Sequence, residues 1–304
     1  MAGPELYGEP VLDWFRPMAE AELLRPTSLD GALAALVQYP EAKINAGGTY
    51  YLRLARFGGE CAPVLVDLGL IEQLHEITVL PANRLRIGSM VVHARMTGPE
   101  VRPHVPLLAE AARRIAGPAV RNLATVGGNV IIGWDLMPPL LAQNTVVDIV
   151  SREGSRRVRL EDFRDGGVEP LLEHGEIVTA FEVDFGLNAV GYARVARRKA
   201  VSRAIASAAV TWRVADGAAH DVRVAVGSTN FVARRVPEAE TLLEGRAPSM
   251  EVIEVMGSAA YEVIDNTFES FEAEGWYARQ MAKVMTVRAA TQAARGTRDE
   301  RNAR

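Results

Sequence analysis

Cysteine is almost absent from this chain, whose 304 residues include only Cys61. A single thiol excludes a disulfide framework, and it excludes a four-cysteine zinc or iron–sulfur site built by this chain alone. So little cysteine is typical of proteins in reducing compartments, and we therefore expect this protein in the cytoplasm.

Long apolar runs are missing as well. No uninterrupted stretch approaches the roughly 18 residues that a membrane helix requires. The first ten residues, MAGPELYGEP, do not combine a basic start with an apolar stretch as a secretory signal does. We expect a soluble chain without a membrane span. Neither sign of charge dominates, and the net charge of −4 gives no reason to expect nucleic acid as a partner.

The signatures of P-loop, zinc-protease and serine-hydrolase chemistry are also absent. The sequence has no Gly-Lys-Ser/Thr, no HExxH and no Gly-x-Ser-x-Gly. We therefore predict no metal ligand and no catalytic residue on this chain. The histidines are far apart in sequence, and we expect all five at the surface or in loops: His75, His93, His104, His174 and His220.

The composition that remains is that of a globular protein. Hydrophobic residues make up 48% and charged residues 24%, which is ordinary for packed domains and too apolar for a disordered chain. A length of 304 residues fits two or three compact units.

Turn residues and hydrophobic periodicity predict the elements of the first two units. In the first we expect a helix in RPTSLDGALAALVQYP capped by Ser28, a strand at residues 43–46, and a helix in TYYLRLARFGG that stops at Gly58 and Gly59. In the second we expect strands in APVLVDLG, RLRIGSMVV and LATVGGNVII, helices in VPLLAEAARRIAG and WDLMPPLLAQ, and a hairpin across residues 152–155. The second unit is predicted to close near Gly175.

The third unit is predicted to be a set of antiparallel strands followed by helices. The strands are expected in EIVTAFEVDFG, GYARVARR, AIASAAVTWRV and DVRVAVGSTN. Helices are expected in PEAETLLEG and from about Met250 to Ala294, and the polar tail GTRDERNAR is expected to fray.

Two Gly-Gly turns carry the strongest functional signal, one in INAGGTYYL and one in RNLATVGGNV. Glycine permits positive φ and close approach of a ligand, and successive amides in such a turn form a concavity that binds anions. Thr125 and Asn129 flank the second turn with side chains that can donate to phosphate oxygens. Two such turns suggest one diphosphate held from two sides, although neither fits the Rossmann fingerprint.

Two further residues have alternative interpretations. Asp135 is suited to bond a ribose hydroxyl, and it is equally suited to cap the helix in WDLMPPLLAQ. Tyr192 can lie against an aromatic ring of a ligand or fill one face of a strand, and its sequence context favours the strand face.

Taken together, these motifs resemble the FAD-binding medium subunit of molybdenum hydroxylases, as in carbon monoxide dehydrogenase and xanthine dehydrogenase. The RN-x-x-T-x-GGN core is specific, and the resemblance extends over nearly the whole chain. It includes RPTSLDGALAAL, INAGGTYYL, LRIGSMVVHARM, IAGPAVRNLATVGGNV, DLMPPLLA, LLEHGEIVTAFEV and VAVGSTNFVARRVPEAETLLEG.

This resemblance implies an α+β fold with a two-subdomain FAD-binding domain of the vanillyl-alcohol-oxidase type and a C-terminal α+β domain. The C-terminal domain would hold a three-stranded antiparallel sheet with helices. The implied boundaries are a leader at 1–24, FAD-binding subdomains at 25–60 and 61–175, the C-terminal domain at 176–288 and a polar tail at 289–304.

The resemblance also implies which residues contact FAD. One turn, residues 46–50, and a second turn, residues 125–129, would take the diphosphate. Asp135 would match an acidic residue near the cofactor, and Tyr192 would match an aromatic close to the isoalloxazine. Tyr50 departs from the Ser or Asp usual at its position, and Ser202 is nearest to an acidic residue often found after the tyrosine segment. The implied contacts are Ala46, Gly47, Gly48, Thr49, Tyr50, Thr125, Val126, Gly127, Gly128, Asn129, Asp135 and Tyr192.

By the same resemblance, the chain would transfer electrons within a larger complex. FAD would receive electrons from two [2Fe–2S] clusters on a small partner subunit, and a large molybdopterin subunit would oxidise the substrate. A heterotrimer or a dimer of heterotrimers is expected, with an external electron acceptor. Two alternatives stay open: a stand-alone flavin oxidoreductase of the same fold, and a scaffold subunit without flavin, which the bulky Tyr50 keeps in consideration.

Overall fold

A computed structural model describes residues 21–56, 61–164, 169–199, 201–264, 267, 270 and 273–302. Within these ranges the strands form three sheets, of three, five and four strands. Each sheet has its own cluster of buried apolar side chains. No helix in the described part of the chain combines the length and the apolar character that crossing a bilayer requires.

The first sheet is parallel and contains β1 (Glu22–Leu24), β2 (Lys43–Asn45) and β3 (Val64–Asp67), with β3 in the centre. Helix α1 (Leu29–Gln38) packs on it through Leu33 and Leu36, and α2 (Tyr51–Arg56) follows β2. Ser28 caps α1 by accepting a hydrogen bond from the Gly31 amide, as predicted. The predicted stop of the next helix at Gly58 and Gly59 lies outside the described residues.

Strand pairing corrects the boundaries predicted for the first subdomain. The implied leader ends at residue 24, yet β1 pairs with β3 along its whole length. The boundary after residue 60 assigns β3 to the next subdomain, yet β3 is the central strand of this sheet. Parallel neighbours come from distant parts of a chain, so local patterns do not reveal such pairs.

The second sheet is antiparallel, and its strand order is β4, β5, β8, β6, β7. Five short helices connect β5 to β6 and cover one face of this sheet with apolar side chains. Ion pairs cross the other face, among them Arg84 with Asp184 at 3.2 Å and Arg86 with Asp148 at 3.5 Å. The strands are β4 (Ile77–Leu80), β5 (Arg84–Gly88), β6 (Val146–Val150), β7 (Ser155–Arg159) and β8 (Ile177–Asp184); the helices are α3 (His93–Met96), α4 (Pro106–Arg114), α5 (Pro118–Arg121), α6 (Val126–Ile132) and α7 (Met137–Leu141), and a 3-10 helix spans Glu72–His75.

Strand β8 is the middle strand of this five-stranded sheet, because it pairs with both β5 and β6. The predicted boundary after residue 175 assigned it to the C-terminal domain and is therefore wrong. The predicted hairpin is confirmed, since β6 and β7 pair in antiparallel register.

The C-terminal domain contains a four-stranded antiparallel sheet of order β12, β11, β10, β9. Its three long strands match the predicted sheet, and the two-residue β12 adds a fourth. The strands are β9 (Ala189–Ala196), β10 (Ala204–Ala215), β11 (Ala218–Gly227) and β12 (Arg234–Arg235); the helices are α8 (Pro237–Leu243), α9 (Met250–Glu262) and α10 (Gly275–Asn302).

Helix α10 extends into the segment predicted to be a frayed tail. Ala289, Ala290 and Ala293 are buried in the core of the C-terminal domain, so this domain continues beyond the predicted end at residue 288. The other face of the sheet meets the part of the chain that contains the second sheet: Tyr192, Ala209 and Ala225 belong to the apolar cluster of that sheet. The two domains therefore share a packed interface.

Gly191 sets how closely β9 approaches α10. A Cβ at this position would overlap the Ala289 carbonyl oxygen, with the Ala289 carbonyl carbon at 2.8 Å and the Ala293 nitrogen at 3.0 Å. Since these are backbone atoms, they cannot move without shifting the helix.

We predict that Gly191→Ala lowers the free energy of unfolding by at least about 2 kcal/mol, because the helix must move away from the sheet. Urea denaturation followed by circular dichroism measures the change. The matched control is Gly296→Ala in the same helix, where an added Cβ meets open space and stability should rise by up to about 1 kcal/mol. Equal effects of the two substitutions would contradict the close packing.

Candidate cofactor-binding site

The first Gly-Gly turn connects β2 to α2 and has a backbone shape that requires glycine. Gly48 adopts φ of +66°, in the left-handed region. A Cβ on Gly47 would overlap the carbonyl oxygen of Leu123, whose carbonyl carbon would lie at 2.8 Å. Neither position accepts a larger residue without rearrangement of the backbone.

The amides of this turn are free of protein partners. Within the described residues, the backbone N–H groups of Gly47, Gly48, Thr49 and Tyr50 donate to no protein acceptor. Just before the turn, the buried side-chain oxygen of Asn45 also lacks a partner, while its amide nitrogen lies 3.4 Å from an Asp67 oxygen. A row of unpaired donors in a turn suits an anion such as a diphosphate.

The second Gly-Gly lies in the first turn of helix α6, so the predicted strand in LATVGGNVII is wrong. Thr125 is the N-cap, and its hydroxyl oxygen accepts from the Gly128 amide at 3.1 Å. The Val126 amide donates to the Val91 carbonyl at 2.9 Å, and the Gly127 amide donates to the Ser89 carbonyl at 2.8 Å. These three amides already have protein acceptors, which corrects the expectation that they face a ligand.

The structure brings the two turns together. Gly47 lies against Leu123 and Ala124, immediately before the Thr125 cap. The side chain of Asn129 fixes the far side of the second turn, since its oxygen accepts from the Leu136 amide at 3.0 Å. A ligand bound at the amides of the first turn would therefore lie close to the second.

His93 binds the backbone at the start of the second turn. The sequence analysis did not identify it as part of the site. It is 1% exposed rather than at the surface. Its backbone amide donates to the Ala124 carbonyl at 2.9 Å, and its Nε2 lies 3.2 Å from the Thr125 carbonyl oxygen. Burial lowers the pKa of His93 to about 4, opposed by the hydrogen bond to Thr125 and aided by the nearby charge of Arg121, so the ring is neutral at pH 7. Its position within the apolar segment SMVVHARM was the available sign of burial.

Arg164, also unmarked by any motif, supports the other end of α6. Its guanidinium donates to the Val130 carbonyl at 3.0 Å and to the Ile131 carbonyl, which are among the last acceptors of the helix. Helix α6 ends at Gly133, in the left-handed conformation, with the Arg164 guanidinium against it. Both ends of the short helix are thus fixed by buried polar contacts.

Asp135 connects the two domains instead of capping α7. The N-cap of α7 is Leu136, without a side-chain hydrogen bond, so the capping alternative is wrong. One Asp135 oxygen accepts from the Ala204 amide at 3.2 Å and lies 3.9 Å from the guanidinium of Arg194. Contact with a ribose remains a prediction.

Tyr192 fills a strand face, as its sequence context suggests. It is 4% exposed and packs in the core shared by the two domains. Its hydroxyl group has no hydrogen-bond partner among the described residues. Burial and the nearby charge of Asp135 raise the pKa of this phenol, which therefore stays protonated.

A recess opens between the part of the chain that contains the second sheet and the C-terminal domain. One wall comes from the loop between α6 and α7, and the other comes from β10 and the end of β11. Among the lining residues are Trp134, Asp135, Arg203, Ala204, Ser207 and Gly227. Sequence analysis identified only Asp135 in this set.

Comparison with known families agrees with this architecture. The model for the FAD binding domain in molybdopterin dehydrogenase matches residues 18–183, and that for the CO dehydrogenase flavoprotein C-terminal domain matches residues 192–293. These matches and the fold together define the class of the protein, which is a two-domain flavoprotein. The chain belongs to the family of FAD-binding medium subunits of molybdenum hydroxylases, which confirms the resemblance found in the sequence.

Individual relatives are similar over most of their length. The nicotine 6-hydroxylase medium subunit of Paenarthrobacter nicotinovorans is 34% identical over 240 residues, which cover 77% of this chain and 83% of the relative. A carbon monoxide dehydrogenase structure from Hydrogenophaga pseudoflava matches with a TM-score of 0.87 and 28% identity, covering 92% of this chain and 99% of that one. Quinoline 2-oxidoreductase from Pseudomonas putida 86 matches with a TM-score of 0.84 and 28% identity, with the same coverage. This chain is an oxidoreductase flavoprotein subunit.

The neutral, buried His93 predicts a specific pH dependence of stability. Its pKa is lower in the folded protein than in the unfolded chain, so the unfolded state takes up the proton first as the pH falls. The contribution of the neutral His93 ring to the free energy of unfolding is fully present above pH about 6.5. It is lost progressively toward pH 4, by at most about 3 kcal/mol.

We expect the free energy of unfolding of wild-type protein to fall more steeply between pH 7 and 4 than that of His93→Gln. Glutamine does not titrate and retains an N–H group for the Thr125 carbonyl. Chemical denaturation at each pH measures the difference, in which the titration of carboxylates cancels. Parallel curves for the two proteins would show that the pKa of His93 is the same in the folded and unfolded states, contrary to its burial as a neutral ring.

Proposed function

We propose that this chain holds FAD between its two Gly-Gly turns and serves as the electron-transfer subunit of a molybdenum hydroxylase. The observation that carries the proposal is the packing of Gly47 against Leu123, which places a turn with free amides beside the Thr125 cap. This pair of turns lies in a domain of an FAD-binding family.

The two turns would contribute differently to diphosphate binding. From residues 46–50, the free amides of Gly47, Gly48 and Thr49 would donate to phosphate oxygens. In the second turn, the amides of residues 126–129 already donate to protein acceptors, so the Thr125 hydroxyl and the Asn129 side-chain amide would donate instead. Gly127 and Gly128 would leave room for the phosphates because they lack side chains.

Asp135 and Tyr192 would support the remainder of the cofactor site. Asp135 holds the wall of the recess through Ala204 and Arg194, and Tyr192 brings an unpartnered hydroxyl group to the shared interface. FAD supplies the redox chemistry when bound, and the protein orients it and tunes it through nearby groups. No acid or base on this chain is required for that role.

Electrons would reach this subunit from other chains. We infer a small partner subunit with two [2Fe–2S] clusters, a large molybdopterin subunit and an external acceptor, in a heterotrimer or a dimer of heterotrimers. The single cysteine supports this division, because an iron–sulfur cluster ligated by cysteines needs several. The relative from Paenarthrobacter is itself named a medium subunit. We place the complex in the cytoplasm, where a cysteine-poor chain is typical.

Binding of FAD is tested by titrating purified protein and two variants at Gly128. We expect wild-type protein to bind FAD and Gly128→Asp to bind it at least tenfold more weakly, since a carboxylate beside the diphosphate repels it. Gly128→Asn has nearly the same shape without the charge and should bind more tightly than Gly128→Asp. An added Cβ meets only the Thr125 hydroxyl, at 3.1 Å.

The stability of the same variants separates loss of the site from loss of the fold. Gly128 lies in the first turn of α6, where a negative charge stabilises a helix by roughly 0.3–1 kcal/mol. Gly128→Asp should therefore unfold at a temperature no lower than Gly128→Asn while it binds FAD less well. Absence of flavin from wild-type protein even after reconstitution would favour the scaffold alternative.

Dependence on partner subunits separates the proposal from a stand-alone flavin oxidoreductase. We expect the FAD-loaded chain alone to oxidise no organic substrate, and the same chain to be reduced by substrate once the molybdopterin and iron–sulfur subunits are added. Anaerobic absorbance at the flavin bands follows the reduction. Rapid bleaching by substrate in the isolated chain would overturn the electron-transfer role.

A further inference from the structure

Three side chains stack on one another at the edge of the recess. The Tyr50 and Trp134 ring centroids are 4.7 Å apart at an angle of 80°, an edge-to-face contact. The Arg203 guanidinium carbon lies 4.0 Å from the centroid of the Trp134 ring, a cation–π contact. We refer to these residues as the Tyr50–Trp134–Arg203 stack.

The stack joins three separate parts of the chain. Tyr50 ends the first Gly-Gly turn, Trp134 lies in the loop between α6 and α7, and Arg203 directly precedes β10. The next residue after Trp134 and the next after Arg203 are also bonded, through the Asp135 side chain and the Ala204 amide at 3.2 Å. Two adjacent contacts thus fasten the α6–α7 loop to the C-terminal domain.

The stack lies between the first Gly-Gly turn and the recess. The free amides of the first turn immediately precede Tyr50, whereas Trp134 and Arg203 line the recess. A ligand with its phosphates at the turn and its remaining part toward the recess would lie against the stack. Widening the recess toward the turn requires separation of Tyr50 from Trp134, or of Trp134 from Arg203.

We propose that the Tyr50–Trp134–Arg203 stack is a closure that retains FAD by slowing its release. This inference rests on the proposed FAD site and adds a role for residues outside the two Gly-Gly motifs. Tyr50 thereby gains a function in holding the cofactor: its ring contacts Trp134, which a short serine or aspartate side chain would not reach. Trp134 and Arg203 are positioning residues, since they act by keeping the stack together.

The test measures the rate of FAD release from reconstituted protein, followed by the rise of flavin fluorescence after dilution. We expect Trp134→Ala to release FAD about tenfold faster, as loss of one aromatic pair and one cation–π contact implies. Trp134→Phe keeps a ring at this position and should restore slow release. Tyr50→Ser should accelerate release by itself and add little when combined with Trp134→Ala, because each removes the same contact.

Trp276→Ala is the matched control. Trp276 also lies edge-to-face against a tyrosine, Tyr277 at 5.8 Å, but it is 67% exposed on α10 and does not line the recess. Its removal should leave the release rate unchanged. Melting temperatures of all FAD-free variants show whether the fold is retained, and Tyr50→Ser gives the same readout if Trp134→Ala does not fold.

The outcomes distinguish the closure from the site itself. Wild-type protein that holds FAD, with Trp134→Ala and Tyr50→Ser releasing it at the wild-type rate, overturns the closure and leaves the proposed function standing. Wild-type protein that takes up no FAD overturns the proposed function and the closure with it. Faster release from Trp134→Ala and Tyr50→Ser, with Trp134→Phe and Trp276→Ala near wild type, supports both.

Discussion

The contact between the backbone at Gly47 and the backbone at Leu123 is the constraint on which the site depends. No side chain fits between them, because a Cβ on Gly47 would overlap the Leu123 carbonyl group. This contact brings the turn that follows strand β2 of the parallel sheet against the start of α6, next to the antiparallel sheet. It fixes the separation of the two turns by backbone contact alone, which is stiffer than contact through flexible side chains. The other residues of the site keep the two turns at this close distance.

Buried polar groups hold the second turn at its place. The imidazole of His93 binds the Thr125 carbonyl group and its backbone amide binds that of Ala124, while Arg164 binds the last carbonyl groups of α6. A neutral imidazole can do this at low cost, whereas a charged one would lose its hydration without a counterion. Helix α6 has only seven residues, so its own hydrogen bonds are not sufficient to stabilise it. The contacts with His93 and Arg164 add the stabilisation that such a short helix needs.

Helices and hairpins could be predicted where the local sequence favoured a single structure. Pairings between strands that are far apart in the chain could not be predicted. Ser28 and the apolar face of α1 gave a correct helix, and the hairpin of β6 and β7 followed from alternation across a turn. The sequence around Thr125 was ambiguous, because a β-branched run favours a strand while a threonine before glycines also serves as an N-cap. The cap prevailed through tertiary contacts with Ser89 and Val91 that local sequence does not contain. The sheet to which β8 belongs depends on partners far along the chain, so only the structure reveals it.

Site residues divide in the same way. The Gly-Gly motifs were recognisable in the sequence because their chemistry is encoded in consecutive residues. Trp134 and Arg203, in contrast, are 69 positions apart in the chain, as are their neighbours Asp135 and Ala204, and they meet only in the folded structure. These two adjacent contacts fix the alignment of the α6–α7 loop with the start of β10, because a shift of one residue between the two segments would break both contacts. Tyr192 lies in the core shared by the same two domains. The wall of the recess is therefore a product of domain packing, and a substitution in the C-terminal domain can alter a cofactor site whose recognisable motifs lie entirely in the other domain.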